Sequence, residues 1–304
     1  MFSNHCFIAS LLFLTSFTTS SIVYGSTLLE VDLKDITLEY FEKGDGDPIV
    51  GVHGAVSDYR VWNSYADSLS EKNKFIGYTR RFYGDQDWPE GDNIYNASVH
   101  AEDLIGLIES LNIAPVHAFS RSSGGYGVVI AAKKRPELFR SLILWEPFVG
   151  NDLIPSVSVS EEQMKSYKKW GSGYVPYVKA AKAGETDTAI KHFIEHVYEL
   201  NDGSFDSLPS EQKQIFSDNA RTLSLLVKGK TTDKVTCEYL GEISVPALVI
   251  RGSETFQGYA LRHTVAADCL ASAEVVVIDG VVHNGIGQKV DEVSEIIQSY
   301  IGKL

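Results

Sequence analysis

Ser122 stands in the run Ala118-Phe119-Ser120-Arg121-Ser122-Ser123-Gly124-Gly125-Tyr126-Gly127, which follows a short apolar stretch and leads into a glycine-rich helix start. A serine hydroxyl is a weak nucleophile until it is exposed on the backbone and a base takes its proton. A sharp strand-to-helix turn does the first of these. It strains the backbone at the nucleophile, so the residues two before and two after must be small, which is the physical content of a G-x-S-x-G elbow. Ser122 meets the requirement with Ser120 before it and Gly124 after it, a serine replacing the first glycine. Ser123 fails, because Arg121 lies two residues before it, and Ser120 stands too early for the glycine pair. Without a base, the same turn would only bind an anion at a helix N-terminus.

The elements that must position this serine follow an alternating pattern. Leu28 to Tyr40 reads as short strands with a turn, and Gly44-Asp45-Gly46-Asp47-Pro48 as a turn into the strand Ile49 to Val52. Phe75 to Tyr78, Val116 to Phe119, Ser141 to Trp145, Ala247 to Arg251 and Val275 to Ile278 are further apolar runs of strand length. His100 to Leu111 carries apolar residues at helical spacing. Short apolar strands alternating with helices predict parallel βαβ units in a doubly wound sheet. Between about residues 150 and 240 the strand signal stops. Ser160 to Lys182, Thr186 to Leu200 and Pro209 to Val227 read as helices, an insertion placed to form a lid over the carboxyl ends of the strands.

The order of motifs carries a resemblance. Ile49-Val50-Gly51-Val52-His53-Gly54-Ala55-Val56 is a strand ending in His-Gly, followed by Trp62. The Ser122 elbow, the helical insertion, and Val275 to Ile278 with His283 in the loop beyond complete the series. This order resembles that of the α/β-hydrolase fold over nearly all of residues 26–304, with 26–149 and 241–304 as the core and 150–240 as the lid. Tyr78-Thr79-Arg80-Arg81-Phe82-Tyr83-Gly84-Asp85 takes the place of the family's D-x-R-G-x-G-x-S loop in altered form. The resemblance implies that Ser122 is the nucleophile, that His283 is the general base, and that the backbone N–H groups of Ala55 and Ser123 form the oxyanion hole.

The acid departs from the usual pattern. In most relatives it lies three residues past a glycine after the strand Ala247 to Arg251; that position is Thr255, which carries no charge. Glu254 is one candidate, displaced by a residue. Glu146 is the other and leads: it follows Leu142 to Trp145, 24 residues after Ser122. Haloalkane dehalogenases place their acid at a similar distance, although their nucleophile is an aspartate and their reaction is not implied here. The Trp145-Glu146-Pro147-Phe148 segment, the missing acid at Thr255 and the lid run Ser217-Asp218-Asn219-Ala220-Arg221-Thr222 together look like one branch of the family.

Composition sets the outer limits. The 304 residues are 44% hydrophobic and 22% charged, enough to bury a large core. With 27 basic and 40 acidic side chains the net charge is −13, which argues against nucleic acid or anionic lipid as a partner. None of the eight histidines has metal-ligand spacing, Gly124 to Gly127 lacks the Lys-Ser/Thr of a phosphate loop, and no cofactor is expected. Asn96-Ala97-Ser98 is a formal glycosylation sequon, read as incidental. Phe7 to Phe17 has the length of a signal-peptide core and is too short to span a bilayer. Val23 and Gly25 fit a cleavage site before Ser26, so residues 1–25 are expected to direct export to the periplasm or medium. The segment Met1 to Cys6 lacks Lys and Arg. After cleavage Cys237 and Cys269 remain, and an oxidising compartment would allow them to pair.

The expected activity is hydrolysis of a small carboxylic ester or related acyl compound through Ser122, His283 and Glu146. A weakly or non-hydrolytic small-molecule receptor on the same fold, or a carbon–carbon bond or lactone hydrolase, is the alternative. The lid aromatics Trp170, Tyr174, Tyr177, Phe193, Tyr198 and Phe205 fit either a pocket lining or the lid's attachment to the sheet.

Overall fold

The computed structural model describes residues 27–88, 95–229 and 233–304. The expected signal segment, residues 1–25, lies outside the described residues. Eight strands form one sheet: β1 (Leu29–Asp32), β2 (Thr37–Lys43), β3 (Pro48–Val52), β4 (Lys74–Tyr78), β5 (Val116–Arg121), β6 (Phe139–Trp145), β7 (Ala247–Gly252) and β8 (Ala273–Ile278). Their spatial order is β1-β2-β4-β3-β5-β6-β7-β8. β1 and β2 pair antiparallel, and β2 pairs antiparallel with β4. Every pairing from β4 to β8 is parallel.

The interior strands are apolar on both faces, which a sheet covered by helices on both sides requires. On one side Val50, Val52, Ala118, Leu142, Leu144 and Val249 pack against the helices Ala97–Ser110, Gly124–Lys134 and Gln257–Cys269. On the other, Ile49, Phe75, Phe119, Ile143, Trp145 and Ile250 pack against Asn63–Leu69 and Val290–Ile301. Trp62 is 1% exposed, and its ring lies 4.8 Å from that of Phe119. Gly51 leaves room for it, since a Cβ there would fall 2.9 Å from the indole.

The helical segments of the insertion are shorter than their periodicity suggests. Ser160 to Lys182 is two helices, Glu161–Ser172 and Val175–Ala183. The break falls at Gly173, where a Cβ would sit 2.2 Å from the His196 ring, and Pro176 in the next first turn suits a helix start. Pro209 to Val227 divides into Ser210–Asn219 and Leu223–Lys228 around a 3₁₀ turn. Asn219 is fully buried there: its amide donates to Asp58 at 2.6 Å and accepts from the Gly84 N–H at 2.7 Å. Arg60 bridges Asp58 and Asp218, and Arg221 donates to the Gly84 carbonyl. The Ser217 to Thr222 run thus seats the insertion on the loops after β3 and β4.

Cys237 and Cys269 form a disulfide with Cα atoms 5.0 Å apart. Asn96, the sequon residue, is buried and caps the helix Ala97–Ser110 by accepting the Val99 N–H at 2.9 Å. Among the described residues no helix is long and apolar enough to cross a membrane.

Candidate active site

Ser122 sits between the end of β5 and the helix Gly124–Lys134 with φ of 49°, in the left-handed region that a serine adopts only when its surroundings impose it. Two hydrogen bonds hold the turn: the Ser122 N–H donates to the Trp145 carbonyl at 3.0 Å, and the Phe148 N–H to the Ser122 carbonyl at 2.9 Å. The small neighbours are needed for closeness as well as strain. A Cβ on Gly124 would meet the Val52 carbonyl at 2.4 Å, and one on Gly125 would meet Pro147 at 2.9 Å. Ser120 is fully buried beneath the turn.

Glu146 and His283 are brought together. The His283 Nδ1 lies 2.7 Å from Glu146 Oε2, and the two residues are 1% and 0% exposed. The other carboxylate oxygen accepts from the Gly252 N–H at 2.9 Å and from the Thr255 hydroxyl at 2.5 Å. Burial alone would raise the Glu146 pKa; the nearby His263 and His283 rings and the Thr255 hydroxyl overcome it and bring the pKa down to about 2. The carboxylate is therefore ionised, so the His283 proton resides on Nδ1 and Nε2 is left as the basic nitrogen. Burial lowers the His283 pKa below its ordinary value, and Glu146 partly restores it. The Trp145 indole donates to the His283 carbonyl at 3.1 Å, so one residue braces both the elbow and the histidine loop. Glu254 is exposed, one residue before buried Thr255, and its carboxylate accepts from Ser253. The structure brings Glu146, and not Glu254, to His283.

The loop after β3 is fixed by Arg80 and His53. The Arg80 N–H donates to His53 Nε2 at 2.9 Å, which leaves the His53 proton on Nδ1, 2.8 Å from the Gly54 carbonyl. The Arg80 guanidinium donates to the same carbonyl at 2.7 Å. With the Gly54 carbonyl held this way, the trans peptide aims the Ala55 N–H in the opposite direction. The N–H groups of Ala55 and Ser123 have no acceptor among the described residues. Both residues line one cavity with Ser122.

That cavity has a volume of about 770 Å³, within the range of small-molecule sites. Its walls come from the segments after β3, β4, β5, β6 and β7 and from the helical insertion. Trp170, Tyr174, Tyr177 and Phe193 line it; Tyr198 and Phe205 instead pack on Phe216. Three residues passed over in the sequence belong to the site. Tyr259 lines the cavity, donates to the Glu146 carbonyl at 3.2 Å and has its ring 5.1 Å from that of His283. His263 packs edge-on against Tyr259, with burial pushing its pKa down to about 3. Arg262 lines the cavity one helical turn beyond Tyr259. Their helix has weak amphipathic patterning, so the sequence gives no sign of the face it turns to the site.

The family model for the alpha/beta hydrolase fold matches residues 47–289. The chain is an α/β-hydrolase. It is 25% identical over 262 residues to 2-(acetamidomethylene)succinate hydrolase of Mesorhizobium japonicum, covering 83% of this chain and 87% of that one. It is 24% identical over 180 residues to the karrikin insensitive 2 receptor IA of Petunia hybrida, covering 55% of this chain and 64% of the receptor. Among solved structures, the enol-lactonase of Burkholderia xenovorans superposes with a TM-score of 0.72 at 17% identity, covering 90% of this chain and 100% of that one. This α/β-hydrolase is an enzyme of the hydrolase class, and a small-molecule substrate is consistent with its fold. Among the described residues of the α/β-hydrolase, no group of three His, Cys, Asp or Glu side chains is placed to hold a metal ion.

Proposed function

We propose that this hydrolase cleaves a small carboxylic ester or related acyl compound through a triad of Ser122, His283 and Glu146. The buried 2.7 Å contact between His283 and Glu146, one strand away from a serine held at φ of 49°, carries this reading. His283 Nε2 takes the Ser122 proton as Oγ attacks the acyl carbon. Glu146 holds the ring in the required tautomer and stabilises the imidazolium. The oxyanion that forms accepts the N–H groups of Ala55 and Ser123, each typically worth about 3 kcal/mol in the transition state. The imidazolium returns its proton to the leaving oxygen, freeing the alcohol and an acyl-serine. Water, deprotonated by the same nitrogen, then attacks the acyl carbon and releases the acid.

In this reading the helices between β6 and β7 act as a lid that shields the acyl-serine, and residues 1–25 direct export with cleavage before Ser26. The disulfide between Cys237 and Cys269 supports an oxidising destination. The deciding experiment is intact-mass spectrometry after exposure to a fluorophosphonate, on the native protein and on Ser122→Ala. One phosphonyl adduct on the native protein alone is the expected result. Absence of an adduct on folded protein would overturn the triad and leave a binding role for the cavity.

A further inference from the structure

Arg262 is 2% exposed and its guanidinium has no carboxylate partner among the described residues. It donates to three neutral oxygens, the Gly150 carbonyl at 2.5 Å, Asn151 Oδ1 at 2.8 Å and the Tyr167 hydroxyl at 2.6 Å, and its Nε–H is buried with no acceptor. The rings of Phe148, Tyr167 and Trp170 surround the guanidinium carbon at 4.6, 5.2 and 5.7 Å. An arginine cannot shed its proton, and a buried charge without a counter-ion is costly. Aromatic faces and neutral acceptors recover only part of that cost. This guanidinium stands in the wall of the cavity that Ser122 also lines.

Position and balance of charge agree. Arg262 and Tyr259 are three residues apart on one helix, so their Cβ atoms are about 5–6 Å apart. The Tyr259 ring lies 5.1 Å from that of His283, and Phe148, whose ring faces the guanidinium at 4.6 Å, donates its N–H to the Ser122 carbonyl at 2.9 Å, which sets the cation near the nucleophile. The cavity holds a second buried guanidinium, Arg80, and one partly exposed carboxylate, Asp152, with Lys168 exposed at its edge. Arg80 is committed to the Gly54 carbonyl and so to the oxyanion loop. The cavity is thus cationic inside a chain of net charge −13. Gly258 allows the arrangement: a Cβ there would lie 2.3 Å from the Ser166 carbonyl, so the insertion helix carrying Tyr167 and Trp170 closes tightly onto the helix carrying Arg262.

We propose that the substrate carries a carboxylate remote from the scissile bond and that Arg262 is its counter-ion. The inference rests on the hydrolase reading above and names the acyl class for it: hemiesters of short dicarboxylic acids. The unpartnered Nε–H is the donor left for a carboxylate oxygen, in a charge-assisted hydrogen bond.

The test compares ethyl hemiesters of succinate, glutarate and adipate with the isosteric esters in which a carboxamide replaces the free carboxylate. For the best chain length, native protein is expected to prefer the carboxylate at least tenfold in kcat/KM. Arg262→Gln is expected to bring the ratio to about one, with Arg262→Lys between the two. Calorimetric binding of glutarate against glutaramide reads the same preference without requiring turnover. Equal handling of acid and amide by native protein at all three lengths, in both turnover and binding, would overturn the proposal. So would a preference that survives in Arg262→Gln. If that variant does not fold, Arg262→Lys and the native ratios still decide. A native protein that binds glutarate over glutaramide yet takes no fluorophosphonate would overturn the triad while supporting the anion seat.

Discussion

Thr255 donates its hydroxyl to Glu146 Oε1 at 2.5 Å. Thr255 stands where most members of the family carry the acid, and here its hydroxyl holds the carboxylate of Glu146 from the neighbouring strand end. Glu146 leaves β6 at φ of 39°, its N–H bound to the Ile250 carbonyl of β7. The carboxylate thereby crosses to the loop after β7, where His283 meets it.

Replacement of Glu146 by Gln is expected to reduce kcat by about 10⁴-fold, the scale typical of losing the oriented carboxylate in a serine triad. Glu254→Ala is expected to stay within a factor of about two, as an exposed surface change. Steady-state kinetics on the two variants, with circular dichroism to show that both fold, checks the assignment. Comparable losses in both would refute it.

Thr255→Val removes one of the two donors to Glu146 Oε1 while keeping the shape of the side chain. The Gly252 N–H remains, so the carboxylate is weakened in its seat rather than stranded. We expect a stability loss of about 1–3 kcal/mol and a fall in kcat larger than any change in KM. Thr255→Ser restores the donor and should recover most of both. Urea unfolding beside kinetics separates a positioning effect from a purely structural one, since the latter leaves kcat of the folded enzyme unchanged.

The pH profile has a defined sign. In the proposed triad His283 must be neutral at Nε2 to accept the Ser122 proton, so activity is expected to rise with pH through its pKa. Burial places that pKa below 6.5, with Glu146 pulling it partly back. The acid limb of kcat/KM is therefore expected to inflect below 6.5, and further down in Glu146→Gln, where the charge that favours the imidazolium is gone. A limb above 6.5 in the native enzyme, or an upward move in the variant, would contradict the proposed roles.

Much of this arrangement can be read from residue order because the elbow and the strands are local features. Ser120, Ser122 and Gly124 report a turn whose constraints span five residues, and each interior strand is an apolar run. The preference for Glu146 over Glu254 rests on the Trp145 to Phe148 segment, the missing acid at Thr255 and the Ser217 to Thr222 run taken together, while the contact with His283 joins residues far apart in the chain. Tyr259, His263 and Arg262 give no such sign. They lie on a helix buried on most sides, so their types look like ordinary packing until the neighbours from Tyr167 and Trp170 are known. The Ser160 to Lys182 break was hidden for a similar reason: Gly173 is required by His196, a contact between separate helices.

The disulfide between Cys237 and Cys269 fastens the end of the helix that carries Tyr259 and Arg262 to the segment returning from the insertion. Its sequence separation of 32 residues corresponds to about 4 kcal/mol of lost unfolded-chain entropy. Substituting both cysteines with serine should therefore lower the thermal midpoint by roughly 6 °C for a chain of this size. Adding reductant to the native protein should produce the same midpoint as the double variant, and a reductant should leave the double variant unmoved. Melting curves on both proteins with and without reductant test the bond. Identical midpoints for native and variant under oxidising conditions would show that the cross-link contributes nothing to the stability of the fold.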